Sequence, residues 1–568
     1  MPTDQILTAG TIITMDAAVP RAEAVAVSDG RIVAVGSLEQ CRAALPSAAV
    51  VDTGVPVLAP GFIDPHSHPV ASGTATQLPA RSIAPWDART WDDAVAIFRA
   101  AIADTPADAP LVFAGFDAML LEHPAPDAAE LDAIFGDRLV GVLDNSGHGV
   151  YFTSAVIRAH GWDAQPPPDP AGGRFARHPD GSLTGQGYEV PVTFAVLMPL
   201  LQAQHGNPIV QAADYYAVMA RGGITSTSDM SFDASTAPVY ELLASLPSSP
   251  LRVSFWHMST AEGYADPVDF AADADRLDKQ GVKLWTDGSP WVGNIGISFP
   301  YRHTHATEIG GIDGSLAGPQ ALNYSRADVD AVLDAAAPKG WSMSFHANGD
   351  LAIDFALDAY ERALALHGLL GTDHRWRIEH VGAGRPDQFD RAAELGVHIS
   401  MGPFQYYYWG DLLDGGMFDP AIGSRWQDFR AAFDSGAVVS FHNDGSVSPP
   451  IPLLNLRTAV TRLTQGGTVH GADRVATIDE ALRAHTIDAA RTLRRDHLVG
   501  SIAPGKLADL VELSADPTEV DPERLTDDVA VLGTWVGGER VDLDAFLAAA
   551  RALPAPGAAA THQDGPHD

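Results

Sequence analysis

Eight short apolar runs, several of them followed by a helical pattern, constrain this chain more than any other feature. They are Val57–His66, Gly223–Asp229, Arg252–His257, Val282–Thr286, Ser342–His346, Trp376–His380, Val397–Met401 and Val438–His442. Helical patterns at Arg326–Ala337, Leu351–His367, Pro386–Leu395 and Leu453–Leu463 follow some of these runs. Near-continuous apolar strands need cover on both faces, and parallel strands need crossover helices. The expected fold is α/β, a closed parallel (β/α)8 barrel of the TIM type. An open doubly wound sheet is the alternative.

The segment between the first and second runs is too long for a single crossover, so an inserted α+β lobe is expected at 74–205. It carries its own linker, Pro166-Pro167-Pro168-Asp169-Pro170. Residues 1–57 read as short strands with a hairpin signal at Ser28-Asp29-Gly30. A second β-rich piece spans 497–543, and each piece is thin for a sheet that must bury a face. Together they are expected to complete one β-sandwich. The barrel then takes 58–73 and 206–496, and 544–568 reads as a helix and a frayed tail.

At 568 residues, with 46% hydrophobic and 19% charged residues, the chain has ample material for a core. The single cysteine, Cys41, excludes a disulfide framework or thiolate cluster. Acidic residues outnumber basic ones 72 to 36, for a net charge of −36, which argues against nucleic acid and anionic membranes as partners. No run is apolar enough to span a bilayer, and the N-terminus does not read as a signal peptide, so the expected location is the cytoplasm. Only four lysines occur: Lys279, Lys283, Lys339 and Lys506. Genomic composition is one reason, yet each surviving lysine raises the question of why arginine does not serve.

Barrel enzymes place their chemistry at the C-terminal ends of the strands. There the first run ends in Asp64-Pro65-His66-Ser67-His68, and His-x-His on a strand puts both imidazoles on one face. The fourth run carries Lys283 and ends at Asp287-Gly288. The fifth ends in His346-Ala347-Asn348, the sixth in Glu379-His380 and the eighth in His442-Asn443-Asp444. Imidazole and carboxylate are ligands for zinc and related divalent ions. A single histidine at a strand end is usually an ordinary polar residue; the set at one rim is what carries weight.

With these motifs, and with Gly500–Asp509, Gly147–Tyr151 and Asp180–Glu189, the chain resembles the amidohydrolase superfamily in its amidohydrolase-3 or YtcJ-like branch. The resemblance spans about residues 5–543. It implies two divalent ions, zinc foremost, and hydrolysis of an amide-type C–N bond by a hydroxide shared between them. His66 and His68 would bind the more buried ion, His346 and His380 the other, and Asp444 would bind the first and serve as the catalytic base. Lys283, carboxylated on its amine, would bridge the two, which arginine cannot do. His148, or another histidine, would help the metal stabilise the oxyanion.

Two residues depart from the family pattern. His442 stands where a small residue is usual, and by strand periodicity it would share a side with Asp444; substrate contact, space filling and metal ligation are all open for it. Asn348 stands where an apolar residue is common. Trp285, Trp291, Tyr301, Phe404, Tyr406, Tyr407, Tyr408 and Trp409 follow strands four and seven. If they face the rim, the substrate is a small apolar or aromatic N-substituted amide, with carbamates, lactams and esters close behind. Residues expected to touch it are His148, Trp285, Asp287, Trp291, Phe404 and His442. A mononuclear deaminase and a non-catalytic scaffold are further alternatives. A serine hydrolase lacks its Gly-x-Ser-x-Gly, and Gly382-Ala383-Gly384 lacks the third glycine of a dinucleotide turn. Pairing into a homodimer is left open.

Overall fold

The structure, a computed structural model, describes residues 4–170, 173–204 and 206–553. Eight strands form the central sheet: Phe62–Asp64, Ile224–Phe232, Arg252–Met258, Leu277–Trp285, Ser342–Ala347, Arg377–His380, His398–Met401 and Val439–Phe441. They run in chain order, and every paired neighbour is parallel. No ladder joins the eighth strand to the first. Instead the Asn443 amide donates to Asp64 Oδ1 at 3.1 Å and the Asp444 amide to the His66 carbonyl at 3.1 Å. The barrel is thus nearly closed, with the seam lying under the candidate ligands.

Alternation explains why each strand serves two purposes. Val282 and Leu284 face the surrounding apolar core, while Lys283 between them projects to the other side. The helices close the outer layer with a helical period. In Asp350–Leu366, Ile353, Ala356, Leu357, Tyr360, Ala363 and Leu364 are buried on one stripe.

The first apolar run proves to be two strands. Val57–Pro60 pairs outside the barrel, and only Phe62–Asp64 enters it. Gly61 marks the break: a Cβ there would lie 2.1 Å from Thr225 Oγ1, so only glycine lets the chain cross between sheets.

The two thin β-pieces share one sheet. Leu510–Leu513 pairs antiparallel with Val57–Pro60, joining both ends of the chain into one branched eight-stranded sheet. Its hairpin at Asp29-Gly30 has φ of 48° and 74°, the two positive values that a type I′ turn requires. Arg252 of the third barrel strand clamps Asp509 at 2.6 and 3.0 Å and so ties the sheet to the barrel.

The insertion carries a six-stranded mixed sheet from Arg81–Ser82 to Leu183–Tyr188. Its flanking helices, Pro69–Thr76 and Pro208–Arg221, touch where a Cβ on Gly73 would meet the Gln211 carbonyl at 2.6 Å. The expected C-terminal helix is present as Leu543–Ala552, and the expected frayed tail beyond it lies outside the described residues. Among the described residues no helix is long and apolar enough to cross a membrane.

Candidate metal centre

The first barrel strand stops at Asp64, so His66 and His68 lie beyond it and not on one strand face as expected. They converge all the same, with ring centroids 5.5 Å apart. Asp64 shapes this turn by accepting the backbone amides of His66 and Asn443. His66 Nδ1–H donates to Glu379 Oε2 at 2.8 Å. That leaves Nε2 facing Lys283 Nζ at 3.2 Å and Asp444 Oδ1 at 3.5 Å. His68 is held in a parallel way. The Ser231 hydroxyl donates to Asp229 and accepts from His68 Nδ1 at 2.9 Å, leaving His68 Nε2 3.4 Å from Asp444 Oδ1. In both rings a partner on Nδ1 directs the Nε2 lone pair to a common point.

The other donors come from strands four, five, six and eight. Lys283 is fully buried; burial pushes its amine down to about 8, against the pull of Glu379 and Asp444. His346 Nε2–H donates to the Gly288 carbonyl at 2.8 Å, and its ring lies 4.5 Å from that of His380. His380, with φ of 72°, places Nδ1 4.0 Å from Asp444 Oδ2. The eighth strand ends at Phe441, so strand periodicity does not bring His442 and Asp444 together as expected. A turn does, with Asp444 at φ 53°.

Three donor groups result, each with ligand atoms within 4.8 Å of one another: His66, His68 and Asp444; His380, His442 and Asp444; and His66, Glu379 and His442. Burial, above all, then the neighbouring charges, holds His66 and His380 well below the usual imidazole range and His346 at about 3. Neutral imidazoles beside an ionised carboxylate are the state that binds metal. Burial alone would raise the Asp444 carboxyl, but His68, His442 and Lys283 more than offset this and lower it. The donor set fits a zinc-like divalent ion.

Several residues that sequence reasoning overlooked support this centre. Arg377 holds Glu379 through Nε on Oε1 and Nη2 on Oε2, the latter at 2.7 Å, and Ser344 donates to Glu379 Oε1 at 2.7 Å. Burial opposes the Glu379 charge, but Arg377 outweighs it and brings the carboxyl to about 2. The signal was present in Arg377-Ile378-Glu379, two opposite charges at strand spacing in an apolar run.

The residues expected to touch substrate divide. Phe404 is buried with its ring 6.2 Å from His442, and half-buried Trp285 lies with its ring centroid 5.3 Å from Lys283 Nζ. His148, from the lobe, sits 6.1 Å from the His346 ring and donates from Nδ1 to Glu189 Oε2 at 2.9 Å. Burial opposes the His148 charge, yet Glu189 and further carboxylates raise it overall. Glu189, at φ 72°, also accepts from Asn294, so it locks the lobe to the loop after strand four.

Asp287 lies beside the centre, with Oδ1 3.6 Å from His346 Nε2, and Trp291 lies away from it. Asp287 is buried and accepts the amides of Asn348, Gly349 and Gly296 at 2.8–3.1 Å, which makes it a brace for the fifth-strand loop. Trp291 stacks on Trp409 at 4.4 Å. It lines a separate cavity of about 240 Å³ with Asp117, Asp144, Tyr151 and Tyr188, whose wall includes none of the candidate ligands. Tyr301, Tyr406, Tyr408 and Trp409 are buried in the same apolar cluster as Trp291. Pro403–Leu413 is a helix, which spreads these rings around its axis, so the expected wide aromatic pocket is largely a packed core.

Barrel and donor set together define a class of metal-dependent hydrolases. The model of the amidohydrolase family matches residues 49–542, and the chain belongs to that family. It is a hydrolase acting on carbon–nitrogen bonds. A short stretch, 24–48, matches a bacterial imidazolonepropionase-like composite domain. An N-substituted formamide deformylase of Arthrobacter pascens is 27% identical over 94% of this chain and 97% of its own. Protein LONG AFTER FAR-RED 3 of Arabidopsis thaliana is 26% identical over 95% and 91%. An uncharacterized metal-dependent hydrolase from Pyrococcus horikoshii OT3 shares the fold, with a TM-score of 0.70 at 22% identity, covering 92% of this chain and 99% of that one.

Proposed function

We propose that this enzyme hydrolyses the amide-type C–N bond of a small N-substituted substrate with an apolar or aromatic substituent, using two divalent ions, most simply zinc, in the cytoplasm. The observation that carries the reading is Asp444: its Oδ1 stands 3.5 Å from His66 Nε2 and 3.4 Å from His68 Nε2, and its Oδ2 4.0 Å from His380 Nδ1. One carboxylate thus faces both groups of imidazoles. His66, His68 and Asp444 would hold one ion, His346 and His380 the other, and Lys283, carboxylated, would bridge them. Bound there, the ions would polarise the scissile carbonyl and acidify a water.

The chain's own residues supply the rest. Asp444 accepts the water's proton on a carboxylate oxygen and returns it to the leaving nitrogen. Glu379 and Ser231 keep the lone pairs of His66 and His68 directed inward. Half-buried Trp285 offers apolar surface beside the ligands, and His148, held by Glu189, is the lobe's polar contact for the substrate. The name of the Arthrobacter relative supports N-substituted formamides as the first substrates to try.

Screening purified enzyme against N-substituted formamides, longer amides, carbamates, lactams and esters, with elemental analysis, tests the reading. About two ions per chain and turnover of an amide are expected. Full activity with one ion would replace it by the mononuclear deaminase-like site. Lys283→Ala is expected to lose one ion and most activity; normal metal content would leave Lys283 a purely structural role.

A further inference from the structure

We propose that His442 is itself a metal ligand, completing the second ion's site with His380 and Asp444. The inference rests on the proposed two-ion reading and adds a donor to it. His442 Nε2 lies 3.2 Å from His380 Nδ1. Two nitrogens bound to one tetrahedral zinc at 2.0–2.1 Å are about 3.3 Å apart. His66 and His68 stand at the same kind of spacing, 3.4–3.5 Å, from the Asp444 oxygen they face.

The ring is also held the way the other ligands are held. Its Nδ1 lies 2.9 Å from Ser400 Oγ, a hydroxyl that accepts from Arg377 at 3.3 Å and can accept a second N–H. With that proton on Nδ1, the Nε2 lone pair points at His380, and the tautomer is fixed by an outer partner as it is for His66 and His68. Space for the ring is built in. At the end of the seventh strand, a Cβ on Gly402 would come within 3.0 Å of His442 Nε2.

Placement favours ligation over the other two roles. His442 is fully buried, between His66 at 4.9 Å and His380 at 5.0 Å by ring centroids, so it belongs to the floor of the site. It enters two of the three donor groups, whereas His346 enters none among the described residues.

The test is metal binding, read without substrate. Apo enzyme, His442→Gly and His442→Gln are titrated with Zn(II) against a competing chelator and with Co(II) followed by its visible spectrum. Wild type is expected to take two ions. Both variants should keep the first ion, held by His66, His68 and Asp444. They should bind the second more weakly by over the ~10–100-fold that loss of an outer partner costs. The Co(II) spectrum of the second equivalent should change. Free imidazole should restore second-site binding to His442→Gly, which an unfolded variant cannot show. Two ions at wild-type affinity with an unchanged Co(II) spectrum in both variants would overturn the proposal. A wild type that takes fewer than two ions would overturn the two-ion reading with it.

Discussion

The floor and the wall of this site are built on different principles. Every candidate donor on the floor stands at the end of a barrel strand, and apart from His68 all are buried, most with a second partner: Glu379 for His66, Ser231 for His68, Gly288 for His346. The wall comes from distant segments. His148 and Glu189 belong to the lobe and Asn294 to the loop after strand four, and all three are partly exposed. The floor is therefore set by strand order and the wall by tertiary contact. Chemistry and recognition should then respond to different substitutions, and the size of each response shows how cleanly the two are separated.

The largest effect is expected at Asp444. Asp444→Asn keeps the shape but removes the proposed proton acceptor and weakens a proposed ligand. Loss of a general base alone typically costs ~10²–10⁴ in rate, and kcat should fall at least into the upper part of that range. A loss under tenfold would move the base elsewhere. Next comes Glu379→Gln, which should weaken metal binding about 10–100-fold in chelator competition, as loss of an outer partner does. Unfolding should also become easier by about 3–5 kcal/mol, because Arg377 would stay buried without its counter-charge. Unchanged metal affinity would show that Glu379 does not orient His66.

This contrast also explains what could be read from the sequence. The eight strands were legible because near-continuous apolar runs and helical periods are local patterns. The donors were legible because each sits within a few residues of such a run. Glu379 was hidden in plain sight, since its side chain pairs locally with Arg377 but reaches His66 313 positions away. The bracing hydrogen bonds of Asp287 were not legible because its partners, Gly296, Asn348 and Gly349, converge only when two loops meet. The aromatic run Tyr406-Tyr407-Tyr408-Trp409 suggested a substrate surface, but the helix that carries it turns most of those rings into the core. The split of Val57–His66 into two sheets depends on the contact between Gly61 and Thr225, which no local pattern contains.

A smaller effect, of a different kind, is expected at Glu189. Glu189→Gln removes the charge that holds His148 while keeping an amide that can still meet Asn294. Metal content should stay at the wild-type value. KM should rise several-fold, up to about tenfold, as a neutral hydrogen bond replaces a charge-assisted one, and the ranking of substrates should change. Measuring KM, kcat and metal content on the same preparation separates the cases. If metal is lost, floor and wall are coupled, and the separation drawn above fails.

The smallest catalytic effect is expected where the lobe meets the barrel rim, at Trp409. Its Nε1–H donates to Asp117 Oδ2 at 2.8 Å, and its ring stacks on Trp291. Asp117 is buried, and burial raises its carboxyl despite the Leu120 amide and Trp409. Trp409→Phe keeps a stacked ring and removes the donor, at a cost of about 1–3 kcal/mol for a buried carboxylate left short of a partner. The sign of the pH dependence follows. An acid whose pKa is raised in the folded state binds its proton more tightly there, so stability falls as pH rises from its unfolded value, about 3.9, through the folded one. Losing the Trp409 donor raises the folded value further, so the penalty is present above the folded values and is lost as pH falls through them toward the unfolded one. Urea unfolding at pH 7 and pH 4 reads the difference. An equal loss at both would mean that packing of the larger ring, not the hydrogen bond, holds the lobe to the barrel. Turnover should change less than in Glu189→Gln, because among the described residues no hydrogen bond or ring contact joins Trp409 to the donors or to His148.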